Sequence, residues 1–96
     1  MKFDGIYTPI VTPYKDDHSI HYDAMEEIVE ELLSCGVHGI VIAGTTGEYY
    51  TQSQEERLQV MKTCKEAVNG RVPLIIGTGA IRTEDCAFFA EEAAKV

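Results

Sequence analysis

Three threonines give the chain a frame. Thr12, Thr45 and Thr78 stand 33 residues apart, each near the C-terminal end of a short apolar run. The runs at 5–12 (GIYTPIVT), 39–43 (GIVIA) and 73–77 (PLIIG) are rich in β-branched residues, the pattern of strands. Their apolarity is continuous rather than alternating, which predicts strands covered on both faces, as in parallel sheets. A polar turn and then a helical pattern follow each run. A strand and helix repeating at this period is a βα unit.

The helical patterns are amphipathic. In the first, Tyr22, Met25, Ile28, Val29, Leu32 and Leu33 form one apolar stripe, and Glu26, Glu27, Glu30 and Glu31 take the wet side. Gly36 is placed to end it. The second opens on Ser53 with Glu56 three residues on, a capping box. Leu58, Met61, Ala67 and Val68 supply its inner face, and Asn69-Gly70 stops it. The third is expected to begin after Thr83, with Glu84 and Asp85 in its first turn to complement the helix dipole. It continues through Ala87, Phe88, Ala90 and Ala94 with no stop signal.

Two α/β architectures use such units, the doubly wound sheet and the (β/α)8 barrel, and the repeat alone does not choose between them. Three units cannot close a barrel of roughly 250 residues. They would also leave sheet edges and one sheet face bare. The expectation is that these 96 residues begin a longer chain.

Charge and composition exclude several classes. The formal net charge is −8 and the eight basic residues are scattered, which argues against nucleic acid as a partner. No apolar stretch approaches the roughly 20 residues that span a bilayer. The N-terminus, MKFDGIYTPI, has neither an apolar h-region nor a small-residue cleavage site, so no secretion signal is read. Cys35, Cys64 and Cys86 are odd in number, far apart and within helical patterns. They read as buried, reduced thiols of a cytoplasmic protein.

The segment after the second strand, Ala43-Gly44-Thr45-Thr46-Gly47-Glu48, is the strongest candidate site. In both architectures the C-terminal ends of strands carry the chemistry. Gly44 and Gly47 let the backbone approach a ligand or take positive φ. Successive backbone N–H groups in such a turn can hold an anion. The Thr45 and Thr46 hydroxyls can donate to a carboxylate or pass a proton. The stretch has no cation, so a small carboxylate suits it better than a polyphosphate. The same residues would equally make a plain βα turn, and spacing alone leaves both readings open. Glu48 is expected to brace the turn.

Other motifs carry less. GTGAIR at 77–82 starts like a dinucleotide fingerprint but has Arg82 at the third glycine position, and no P-loop occurs. His18 and His21, with Asp16, Asp17 and Asp23, could be imagined around a metal. No rigid frame sets their geometry, so a solvated loop is expected, with no metal and no cofactor. His38 reads as a turn residue. Lys62 and Lys65 lie on a wet helix face, Lys95 near the chain end, Lys2 at the start and Lys15 in a loop. None stands at the end of an apolar strand, where burial could prepare an amine for Schiff-base work. Tyr49 and Tyr50 read equally as lid or interface aromatics and as packing beneath a turn.

GIVIAGTTGEYYTQSQEER, preceded by TPIVTPYKDDHSI and followed by VPLIIGTGAIRTED, resembles the N-terminal part of the dihydrodipicolinate synthase / N-acetylneuraminate lyase family. The resemblance covers nearly the whole chain, and Gly-Thr-Thr-Gly-Glu in this context is specific for it. It implies that residues 1–96 are the N-terminal three βα units of a single (β/α)8 TIM-barrel domain, truncated here. It implies an enzyme that is commonly a homotetramer, or else a dimer, and that binds pyruvate or another 2-keto acid as a Schiff base on a lysine. That intermediate condenses with an aldehyde or is released by aldol cleavage, and some relatives dehydrate sugar acids. Lysine biosynthesis is one setting. By position in the motif, Thr46 and its N–H would bind the pyruvate carboxylate, with Gly44 and Gly47 shaping the site. Thr45 would join a proton relay with tyrosines. The family's Schiff-base lysine and main catalytic tyrosine lie beyond residue 96. In plant and many bacterial synthases the feedback-lysine site uses residues aligned with Tyr49, Tyr50, Gln54, Arg57, Ile81 and Asp85; some bacterial versions have small, His and Asn residues at the first five of these positions. A second reading is a non-catalytic relative that oligomerises through its bare sheet edges.

Overall fold

The computed structural model describes residues 4–96. Lys2 and the start of the stretch read for a secretion signal lie outside them. Three strands, β1 (Tyr7–Pro9), β2 (Gly39–Ile42) and β3 (Leu74–Ile76), alternate with helices α1 (Tyr22–Ser34), α2 (Gln54–Val68) and α3 (Thr83–Lys95). The strands are shorter than the apolar runs that predict them. Pro9 and Pro73 have no N–H to give a ladder, and Ala43 turns into the left-handed region at φ 56°, which ends β2. Pairing nonetheless runs slightly past the strands: Ile10 N–H donates to Val41 O at 3.0 Å and Gly77 N–H to Ile42 O at 2.8 Å.

The sheet is parallel in the order β1-β2-β3, with Pro9 beside Val41 and Val41 beside Ile75. α2 packs against both α1 and α3, so the three helices share one face of the sheet. That face holds the core. Met25 and Val29 of α1 meet Ile40 and Ile42 of β2 and Val60, Met61, Cys64 and Val68 of α2, all essentially sealed from solvent. Burying each such side chain contributes roughly 1.5–3 kcal/mol before chain entropy is set against it.

The opposite face differs from expectation. Side chains alternate along a strand, so with Ile40 and Ile42 turned to the helices, Val41 and its neighbours Pro9 and Ile75 face the other way. Val41 and Ile75 are half-buried and Pro9 is exposed. The strands are therefore not covered on both faces in these residues. The bare face and edges expected of three βα units are what the structure has.

The helix ends follow local chemistry. α1 closes in a Schellman turn: Gly36 at φ 86° donates to Leu33 O, and Val37 N–H to Leu32 O. Ser53 and Glu56 make both bonds of the capping box, 3.1 Å from Glu56 N–H to Ser53 Oγ and 2.8 Å from Ser53 N–H to Glu56 Oε1. Asn69 and Gly70, both left-handed, end α2.

Two expectations need correction. α3 starts one residue early, with Thr83 inside it and Arg82 at the N-cap without a capping side chain. Its buried residue is Phe89, whereas Ala87, Ala90 and Ala94 are exposed. The small alanines marked no side, and the larger ring went to the core. Of the three thiols only Cys64 is buried; Cys35, at the α1 C-cap, is exposed and Cys86 intermediate. Burial pushes the Cys64 thiol up to about 12, so it stays protonated and inert.

Candidate active site

The turn after β2 is bracketed by two non-glycine residues at positive φ, Ala43 at 56° and Glu48 at 60°. Between them Gly47 N–H donates to Gly44 O at 3.1 Å, and Glu48 N–H to Thr45 O at 3.0 Å. The N–H groups of Gly44, Thr45 and Thr46 have no backbone acceptor among the described residues. Nor does either threonine hydroxyl make a hydrogen bond among them, and both side chains are exposed. Three successive free N–H groups and two free hydroxyls therefore lie together at a strand's C-terminal end.

The two glycines do different work. A Cβ on Gly44 would meet nothing within 4 Å, so its smallness leaves open space above the backbone. Gly47 is walled in: a Cβ there would lie 3.2 Å from Ile10 O and 3.3 Å from Thr12 Oγ1. Its carbonyl is held from two sides, by the Thr12 hydroxyl at 2.7 Å and by Gln52 Nε2 at 3.1 Å. Gln52 Nε2 also lies 3.2 Å from Thr12 Oγ1 and from the Tyr14 hydroxyl. Thus N–H and C=O of Gly47 are both spent inside the protein, and Gly47 shapes the turn. The Glu48 carbonyl accepts from Thr51 N–H and Thr51 Oγ1, at 3.0 and 2.8 Å, bonds that belong to the single helical turn at Tyr49–Thr51, and its side chain is exposed.

The threonine repeat shares a period and not a role. Thr12 is buried and donates to the neighbouring turn, Thr45 is exposed, and Thr78 is half-buried.

A second cluster sits behind the turn. Arg57 of α2 is 4% exposed. It donates to Gly79 O at 2.8 Å and Gly77 O at 3.2 Å, and its guanidinium lies 3.7 Å from the centroid of the Phe89 ring and 5.0 Å from that of Tyr49. Burial pulls its pKa down, with Tyr49 and Cys86 acting the other way. Arginine remains charged through any such change. Helical spacing carried a signal for this residue: 57, 60, 61, 64 and 68 form one stripe, and all five are buried. Gln52 had none, since its partners Thr12 and Tyr14 come from another βα unit.

Tyr49 and Tyr50 divide the two roles considered for them. Tyr49 packs beside Arg57 and Gly79, whereas Tyr50, edge-on to it, is 64% exposed. Both line a cavity of about 340 Å³ between the 49–57 segment and α3. Gln54, Arg57, Ile81 and Asp85 line it as well, so these six residues are brought together. Thr45 and Thr46 are not among its walls.

Two of the histidines make structural hydrogen bonds. His21 caps α1, its Nδ1 accepting Ala24 N–H at 3.1 Å. His18 is exposed in the hairpin that Tyr14 and Ile20 close. In that hairpin Asp17 accepts from Ser19 N–H and Oγ, and the hydroxyl holds its carboxyl below the usual range. His38 Nδ1 accepts Ile6 N–H at 2.9 Å, at the opposite end of the sheet from the turn. Lys15, Lys62, Lys65 and Lys95 are all exposed. No helix among the described residues is long and apolar enough to cross a membrane.

The match to known proteins is extensive. The model of the dihydrodipicolinate synthetase family matches residues 2–96. The chain is 45% identical over 89 residues to the 4-hydroxy-tetrahydrodipicolinate synthase of Streptococcus suis, spanning 93% of this chain and 29% of that protein. It superposes with a TM-score of 0.94 on the dihydrodipicolinate synthase of Acinetobacter baumannii solved with pyruvate, at 36% identity, covering 98% of this chain and 32% of that one. The N-acetylneuraminate lyase of Mycoplasma synoviae gives a TM-score of 0.92 at 36% identity, covering 97% of this chain and 33% of that one. The chain thus spans about a third of the length of these relatives. Strand order β1-β2-β3 occurs both in a barrel and in half of a doubly wound sheet. The solved neighbours decide for the barrel: the three units are a partial (β/α)8 TIM barrel. The chain belongs to the dihydrodipicolinate synthetase family.

Proposed function

We propose that residues 1–96 are the first three βα units of one barrel domain, in a cytoplasmic, homo-oligomeric, pyruvate-dependent lyase or synthase that works through a Schiff base. The turn at 44–47 receives the carboxylate of pyruvate or a related 2-keto acid. Thr46, through its hydroxyl and N–H, is the main contact, and Gly44 gives the ligand room. Thr45 passes a proton between the reacting centre and tyrosines supplied elsewhere in the barrel. The amine that forms the Schiff base lies outside these residues, because every described lysine is exposed and away from the strand ends.

One observation carries this reading: three free N–H groups and two free hydroxyls lie together at the end of β2, in a turn whose Gly47 carbonyl is held by Thr12 and Gln52. Neutral donors aimed in advance stabilise a small anion without reorganising. The likeness of the whole chain to the Acinetobacter baumannii dihydrodipicolinate synthase solved with pyruvate supports it.

Borohydride reduction of the full-length protein with pyruvate, followed by peptide mapping, tests it. The expected adduct is on a lysine other than Lys2, Lys15, Lys62, Lys65 and Lys95. No adduct, or one on those five, overturns the assignment. The three-stranded sheet has β1 and β3 as its edges, which favours the second reading of a non-catalytic chain that assembles through them. A subunit of 10.6 kDa in cells would support that reading, and one about three times larger would reject it.

A further inference from the structure

Gln52 makes an arrangement that stability alone does not explain. Its amide nitrogen faces three oxygens, Gly47 O, Thr12 Oγ1 and the Tyr14 hydroxyl, at 3.1, 3.2 and 3.2 Å. Gly47 O can only accept, so the amide cannot be reversed without setting two carbonyl oxygens against each other. In this orientation Gln52 Oε1 is buried with no partner. An orphaned buried acceptor is costly, and a buried unpaired group calls for a reason. A leucine would fill the same space without that cost.

The reason lies in what the amide holds. Gly47 closes the turn through its N–H on Gly44 O at 3.1 Å, and its carbonyl is the turn's attachment to the rest of the molecule. Thr12 supplies one bond to that carbonyl and Gln52 the other. Gln52 also donates to Thr12 Oγ1, which leaves the threonine proton directed at Gly47 O. The two residues therefore form one bracket. It keeps the Gly47 carbonyl, a partial negative charge, bonded inside the molecule, while the N–H groups of Gly44, Thr45 and Thr46 stay without a backbone acceptor.

We propose that Gln52 is a positioning residue for the 2-keto acid carboxylate: it sets the plane of the Gly47 peptide, and through it the aim of the donors at 44–46. This rests on the reading of that turn as the carboxylate site. Gln52 does not touch the ligand. It acts through Gly47, and it exchanges stability for binding.

Three variants of the full-length protein test this, with pyruvate KM, kcat and Tm measured for each. Thr46→Ala reports on the site itself and should raise KM. Gln52→Leu should raise KM roughly five- to tenfold, the worth of one hydrogen bond, with kcat held and Tm equal to wild type or higher. Gln52→Glu should behave like Gln52→Leu at about pH 8, where a carboxylate faces Gly47 O. Its KM relative to wild type should recover towards about pH 5 as the protonated carboxyl becomes a donor. If Thr46→Ala raises KM while Gln52→Glu matches wild type at every pH, the positioning role is overturned and the site stands. A lowered Tm for Gln52→Leu with KM unchanged also overturns it, in favour of a packing role. If Thr46→Ala leaves KM unchanged, the site itself is wrong and the inference falls with it. Should Gln52→Leu not fold, the pH dependence of Gln52→Glu still decides.

Discussion

The turns after β2 and β3 are neighbours built on the same plan with opposite chemistry. In each, backbone carbonyls are held by a side chain from the segment that follows β2. Gly47 O is held by neutral donors, Gln52 and Thr12. Gly77 O and Gly79 O are held by a cation, Arg57, set against Phe89. A buried guanidinium on carbonyls and an aromatic face is worth more to stability than a neutral amide, because charge strengthens each bond in a low-dielectric setting. The neutral bracket leaves no fixed charge against Thr45 and Thr46, so the preference of that turn depends on where its donors aim. One turn is therefore read as a foundation and the other as a binding surface.

The contrast can be broken by substitution. Arg57→Ala should cost about 2–4 kcal/mol of stability, from two charged hydrogen bonds and the ring contact. It would show as a lower denaturant midpoint at unchanged slope. Arg57→Lys should recover little, because an ammonium lacks the fork that reaches both carbonyls. If Arg57→Ala left stability intact, the foundation role would be lost. Thr45→Val should instead lower kcat by about a hundredfold, the scale of a lost proton-transfer group, with the denaturant midpoint held.

Gly77→Ala probes the seam between the two turns. Its Cβ would fall 2.3 Å from Ala43 O, so one strand end must move. A cost of about 1–3 kcal/mol is expected, together with a raised pyruvate KM, since Ala43 leads into the site. An unchanged KM would show that the turns are mechanically independent. A smaller effect is expected of Thr46→Ala: roughly tenfold weaker pyruvate binding, with stability moved by less than about 0.5 kcal/mol. Equal, small effects at Thr45 and Thr46 would reduce the turn to an ordinary βα connection.

Much of this was legible in the chain, for physical reasons that are local. The helix stripe through Met25 and Val29, the Ser53–Glu56 cap and the Gly36 stop each rest on residues within two or three turns of one another. The position of the candidate turn was legible too, because the end of an apolar strand needs no distant partner to be recognised. Phe89 was missed because alanines on α3 fit any face, and only the neighbouring α2 decides which side is inside. Arg57 was passed over as a residue of its own helix because charge predicts exposure, although its helical register said otherwise.

The amino-acid sequence by itself determined the βα period, the parallel strands, the helix caps and the candidate donors Thr45 and Thr46. These follow from steric preference and hydrophobic spacing over short distances. Only the tertiary structure decided which donors remain free. Thr12 and Thr45 are the same residue type at the same point of the repeat, yet one is buried on Gly47 O and the other exposed. The difference arises because β1 and β2 lie side by side and the end of one must hold the turn of the other. That pairing spans 35 residues of chain, and no local preference encodes it.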